Sequence, residues 1–136
     1  MMERLLVDTN IVVDLLTKRE AYYKEAQDLF TLSDEGKVKL LVSSLTFANT
    51  HYLLTRYANK DEARKVLIKF KVLVDVAELN DKIIELALAS DFTDFEDAIQ
   101  YYTALEKNAD TIITRNHKDF KTSKLPVLTA KEYMRK

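Results

Sequence analysis

Five short apolar runs, most of them closing on polar residues and all separated by stretches of helical periodicity, constrain this chain more than any other feature. Leu5-Leu6-Val7 stops at Asp8-Thr9-Asn10, Val38–Val42 at Ser43-Ser44, and Thr111–Thr114 at Arg115-Asn116. Val72–Val76 and Val127-Leu128 complete the set. Between them, Ile11–Leu16 and Ala21–Leu32 have the look of helices, the second ending near Gly36. Ser43 and Ser44 are suited to cap a helix running to about Ala58, and Asp61 to cap the next, which carries Val66, Leu67 and Phe70 on one face. A helix from about Asn80 carries Ile83, Ile84, Ala87 and Leu88; another spans about Asp94 to Lys107, and Thr129 caps a closing one. Strands separated by helices pair in parallel through crossovers. The pattern therefore predicts an α/β fold: a three-layer sandwich with a central, mostly parallel sheet of four to five strands between helices. With no linker, repeat or low-complexity stretch, residues 1–136 are expected to form one domain.

Composition narrows the chemistry. Apolar residues make up 47% of the chain, enough for a real core, and the net charge of -1 excludes a generically basic nucleic-acid binder. Without cysteine there is no disulfide scaffold, zinc ribbon, thiol enzyme or iron–sulfur site. One glycine, Gly36, cannot build a phosphate-cradling glycine loop. No run approaches the ~18–20 apolar residues of a membrane span, and the start lacks a signal-peptide pattern, so a cytoplasmic protein that does not engage a membrane is expected. With only His51 and His117 as histidines, the chemistry must rest mainly on carboxylates.

In a parallel sheet, ligands bind at the carboxyl ends of the strands. The polar residues that follow strands are Asp8 with Asn10, Ser43 with Ser44, and Thr114 to Asn116. Asp8 reads either as a helix cap or as a metal-ligating carboxylate on a rigid strand end. The segment Asp91–Asp97 packs four acids into seven residues, within residues 75–110, which hold ten acids and two bases. Thr93 with Glu96 and Asp94 with Asp97 both fit capping-box spacing, or approximate it. Capping uses two of these acids and leaves the others repelling one another, whereas Mg2+ or Mn2+ prefers such oxygen ligands. Asp94 and Asp97, three apart, can face the same side of a helix. Asn49 sits in register with Leu45, Tyr52 and Leu53, a polar amide that needs a partner. From Arg115 onward seven Lys/Arg stand against two acids, which suits a polyanion gripped beside a metal, with Arg115 or Lys118 near a phosphate.

Taken in order, Leu-Leu-Val-Asp8-Thr9-Asn10, Val-Ser43-Ser44-Leu-Thr-Phe-Ala-Asn49, Asp94-Phe-Glu96-Asp97-Ala98 and Ile-Ile-Thr114-Arg115-Asn116-x-x-Asp119-Phe120 resemble the PIN-domain family across essentially the whole chain. It looks like the compact form found as the toxin of bacterial VapBC-type toxin–antitoxin pairs. The resemblance implies a ribonuclease dependent on Mg2+ or Mn2+, with Asp8 and Asp97 as the family's first acid and its later helix acid. Two departures are visible: Asn49 and Asn116 stand where members usually carry acids. The expected catalytic set is thus Asp8, Asp97, Asn49 and Asn116. Asp94 and Glu96 join Asp8 and Asp97 around the metal, and Thr9, Asn10, Thr114, Arg115 and Lys118 position substrate. Asp119 is a further acid able to compensate. The resemblance also implies an RNA substrate, a homodimer and a small antitoxin that inserts a segment into the acidic groove. Two other readings follow from the same residues: a PIN fold that has lost its chemistry and binds RNA or protein, and histidine-based RNA cleavage by His51 and His117.

Overall fold

The computed structural model describes residues 2–136. Five strands, β1 (Glu3–Val7), β2 (Val38–Ser43), β3 (Asp75–Ala77), β4 (Thr111–Ile113) and β5 (Val127–Leu128), form one sheet in the order β3-β2-β1-β4-β5. Every pairing is parallel, so the sheet is wholly rather than mostly parallel. Seven helices intervene: α1 (Thr9–Leu16), α2 (Tyr23–Asp34), α3 (Ser44–Tyr57), α4 (Lys60–Lys71), α5 (Asp81–Leu88), α6 (Phe95–Glu106) and α7 (Ala130–Met134). A short 3-10 turn, His117–Phe120, follows β4.

The period-2 geometry of a strand sends alternate side chains to opposite faces, and the two cores follow that division. Leu5 and Val7 of β1, with Leu40, Val42 and Ile113, pack against Ile11, Leu29, Phe30, Phe70 and Tyr133 from α1, α2, α4 and α7. Leu6, Leu41 and Ile112 point the other way, onto Tyr101 and Ala104 of α6 and onto Phe120. A satellite cluster of Ile83, Ala87, Ala98 and Ile99 joins α5 to α6. Strands buried on both faces read as continuous apolar runs, which is why β1, β2 and β4 stand out in the sequence.

Two expectations are corrected. The run Val72–Val76 is not a strand throughout: Val72 caps α4, Leu73 and Val74 pack on the core from the turn, and β3 begins only at Asp75. The cap of α4 is Asn59, whose side chain accepts from Glu62 N at 2.9 Å. Asp61 falls in the first turn, where its charge favours the helix dipole instead. Other boundaries shift less, with α1 starting at Thr9 and α2 running from Tyr23 to Asp34. Ser43, Asp94 and Thr129 cap their helices as read, Thr129 with Glu132 closes a full capping box, and Asn80, read only as the approximate start of its helix, caps α5.

The order β3-β2-β1-β4-β5 has one functional consequence. The chain winds outward from β1 to β3, then returns to the opposite side of β1 to lay down β4 and β5. The reversal point lies between β1 and β4, and it is at the carboxyl ends flanking such a point that open α/β sheets leave a crevice.

Candidate active site

Asp8 and Thr114 are the first residues beyond β1 and β4, so the two strands deliver them side by side into that crevice. Asp8 N donates to Ile113 O at 2.9 Å, which locks the strand ends together. Asp8 is 6% exposed, and its carboxylate is fully specified: Oδ1 accepts from Thr9 N at 2.8 Å, and Oδ2 from Thr114 Oγ1 at 2.8 Å. Asn10 Nδ2 lies 3.2 Å from Thr114 Oγ1 and 3.4 Å from Asp8 Oδ2, while its Oδ1 accepts from Arg115 N at 3.3 Å. Asp8 therefore acts as the cap of α1, and the capping side chain stands at the strand ends beside Thr114. Burial pushes the Asp8 carboxyl above its ordinary value against the lowering effect of the bonds from Thr114 and Thr9, and the charges of Asp119 and Glu96 push it up further.

The second acid comes from α6. Asp94 caps that helix, its Oδ1 accepting from Asp97 N at 3.0 Å, so Asp97 sits in the first turn. The Asp97 carboxylate has no hydrogen-bond donor among the described residues. Its pKa rises from 3.8 to about 7, first through burial and then through the charges of Asp8, Asp94, Asp119 and Glu96. Among the described residues, no salt bridge reaches any of these five acids. The edge therefore carries concentrated, uncompensated negative charge.

Asn49 reaches the same edge from α3, where Nδ2 donates to Glu96 Oε1 at 3.4 Å. Asn116 N donates to Thr114 Oγ1 at 3.1 Å, and Asn116, Lys118 and Asp119 lie on the exposed turn after β4. Among the described residues no three His, Asp or Glu side chains converge on one metal-sized position. The acids are close enough to raise one another's pKa without forming a closed carboxylate cage. Any cation held here would thus draw part of its shell from neutral oxygens.

Arg115 sits differently from its reading as a phosphate contact. Its Nε donates to Asp14 Oδ2 at 2.7 Å and its Nη2 to Asp14 Oδ1 at 3.2 Å, a forked pair on a carboxylate that is wholly buried. The guanidinium also lies 4.0 Å from the centre of the Tyr22 ring. Its charge is therefore offset, and Arg115 braces one wall of a cavity of about 320 Å³ lined also by Ile11, Thr129 and Lys131. Asp14 was missed because nothing in its helical context marks it; the pairing spans 101 positions of chain. Gln100 and Thr46 were missed as well. They lie buried on α6 and α3 and join Thr9 in a hydrogen-bonded group, so the Thr9 hydroxyl faces the interior.

The histidines do not form a pair: no hydrogen bond joins them. His117 Nε2 lies 2.9 Å from Glu132 Oε1, tying the 3-10 turn to α7, and His51 Nε2 is buried on α3 without a partner among the described residues. Of the aromatics on α2 and α3, Phe30 and Phe47 belong to the core, while Tyr52 and Tyr57 are exposed on α3.

The sequence matches the profile of the PIN domain over residues 4–118. It is 30% identical to Ribonuclease VapC1 of Aquifex aeolicus, an alignment covering 96% of this chain and 93% of that protein. Among solved structures, a toxin–antitoxin complex from Klebsiella pneumoniae is similar with a TM-score of 0.68 at 26% identity, over 93% of this chain and 97% of that one. VapC20 of Mycobacterium tuberculosis, described as a sarcin-ricin loop cleaving toxin, shares the fold with a TM-score of 0.62 at 20% identity, over 79% and 86% of the two chains. From the acidic edge at the β1/β4 reversal, the profile match and the relative aligned along nearly its whole length, this chain belongs to the PIN-domain family.

Proposed function

We propose that this protein is a divalent-metal-dependent endoribonuclease of the VapC type, the toxin half of a toxin–antitoxin pair. The observation that carries the reading is the uncompensated charge of Asp8 and Asp97 at the sheet edge, with Asp97 pushed up to about 7. The name of the Aquifex relative supports ribonuclease chemistry, and the complexes among the structural neighbours support an antitoxin partner. Asp8 and Asp97 would hold Mg2+ or Mn2+, aided by Asp94, Glu96 and the side-chain oxygens of Asn49 and Asn116. When bound, such an ion supplies Lewis acidity: it acidifies water and offsets charge building on the phosphoryl oxygens. The chain's own residues do the positioning. Thr114 and Thr9 orient the two Asp8 oxygens, and Asn10 joins Asp8 to Thr114 and to the backbone of Arg115. Lys118, exposed on the turn after β4 with no salt bridge among the described residues, supplies a cation for an RNA phosphate. Arg115 acts as a brace, since Asp14 already takes its charge. Two copies would associate as a homodimer, with Tyr52 and Tyr57 among the exposed apolar groups available to an interface.

One observation favours a second reading. Asn49 gives the site a neutral amide that donates to Glu96, consistent with a PIN fold that binds RNA or protein without cutting it. Calorimetric titration with Mn2+ separates the two. The nuclease reading expects saturable binding that Asp8→Asn abolishes; no heat of binding in the native protein would favour the binding module.

A further inference from the structure

Beneath the carboxylates lies a buried polar group that the chemistry above does not use. Gln100 is 2% exposed and Thr46 wholly buried. Gln100 Nε2 donates to Thr46 Oγ1 at 2.8 Å and to Thr9 Oγ1 at 3.3 Å, and the two threonine oxygens are 2.9 Å apart. Gln100 Oε1 has no partner among the described residues. An unmatched buried carbonyl opposes folding, and methionine with valine would fill nearly the same space without that penalty. Packing alone therefore does not account for these residue types.

Their placement does. Gln100 lies three residues after Asp97 on α6, so both share a helix face one turn apart. Thr9 follows Asp8 directly, and its N–H holds Asp8 Oδ1. Thr46 lies three residues before Asn49 on α3. Three helices that each present one part of the site thus meet at a single amide. Apolar contacts tolerate sliding and rotation, whereas a buried hydrogen-bonded group fixes both.

We propose that Gln100, with Thr46 and Thr9, is a positioning node that sets the placement of Asp97 relative to Asp8. The proposal rests on the reading of this edge as a cation site only for its functional consequence; the clamp itself is observable without metal. It also gives the Thr9 hydroxyl an interior role in place of a substrate contact.

The test uses the full chain with Thr46→Val, Thr46→Ser and Gln100→Met. Hydrogen exchange of segments 8–14 and 95–101 is measured in EDTA, Mn2+ affinity by calorimetry, and Tm alongside. Thr46→Val and Gln100→Met are expected to speed exchange in those two segments selectively, with little change in Tm. Both are expected to weaken Mn2+ binding about tenfold, the lower end for loss of a group that orients a metal ligand. Thr46→Ser, which keeps the hydroxyl, is expected to behave as the native protein. Unchanged exchange in both segments overturns the node. So does faster exchange spread over the whole chain with a lowered Tm, which signifies packing alone. If the native protein binds no Mn2+, the cation reading fails separately, and the exchange data still decide the node.

Discussion

Replacing Asp97 by asparagine is expected to stabilise the metal-free protein while removing the cation site proposed above. The carboxyl has a pKa of about 7 in the folded chain against an ordinary 3.8. An acid raised by folding releases its proton earlier in the unfolded state, so it opposes folding once the pH exceeds its unfolded value. The penalty is absent below about pH 4, grows between about 4 and 7, and is complete above 7. Three units at 1.36 kcal/mol each set an upper bound of about 4 kcal/mol. Asp97 is only partly buried, and solvent screening reduces this to about 1–2 kcal/mol. Asparagine keeps the shape, and no hydrogen bond to the Asp97 side chain is lost among the described residues. At pH 8 in EDTA, thermal melts should therefore place Asp97→Asn above the native protein by about 3–8 °C, a gap that closes by pH 4. Mn2+ should raise the Tm of the native protein and leave the variant unmoved. A variant no more stable than native at pH 8, or a gap independent of pH, would refute the claim that this edge holds uncompensated charge.

Arg115→Ala is expected to lower stability by about 3–5 kcal/mol, because it leaves the wholly buried Asp14 carboxylate without its partner; urea unfolding measures it. Gly36 has φ +73° with open space where a Cβ would stand, so Gly36→Ala should cost about 1 kcal/mol through backbone strain alone, read as a small fall in Tm. Thr114→Val removes the hydroxyl that donates to Asp8 Oδ2 and accepts from Asn116 N. It should weaken Mn2+ binding about tenfold in calorimetry while leaving the sheet intact.

The strands buried on both faces were legible because nothing else explains runs such as Leu5-Leu6-Val7 ending on Asp8. Helix caps were legible where the capping side chain stood directly before the periodic stretch, as at Ser43 and Thr129. Val72–Val76 misled because a short apolar run has no period long enough to separate a helix end from a strand. Val72 caps α4, and Leu73 and Val74 pack on the core from the turn. Asp61 misled because capping depends on backbone angles: Asn59 has the extended conformation, whereas Asp61 is already helical. At the edge, Asp8 and Thr114 could be read from their position after strands, and Asp97 from the density of acids around it. The partners of Arg115 and Gln100 could not. Arg115 pairs with Asp14 across 101 positions, and Gln100 with Thr46 across 54, contacts that only the folded chain defines.

The most direct measurement is incubation of the purified protein with structured and single-stranded RNA, in Mn2+ or in EDTA, beside an Asp8→Asn control of demonstrated folding. Cleavage that requires both the metal and Asp8 is the expected result, and it would show that the neutral Asn49 is tolerated. Cleavage that persists in EDTA or in Asp8→Asn would contradict the assignment of chemistry to this carboxylate edge.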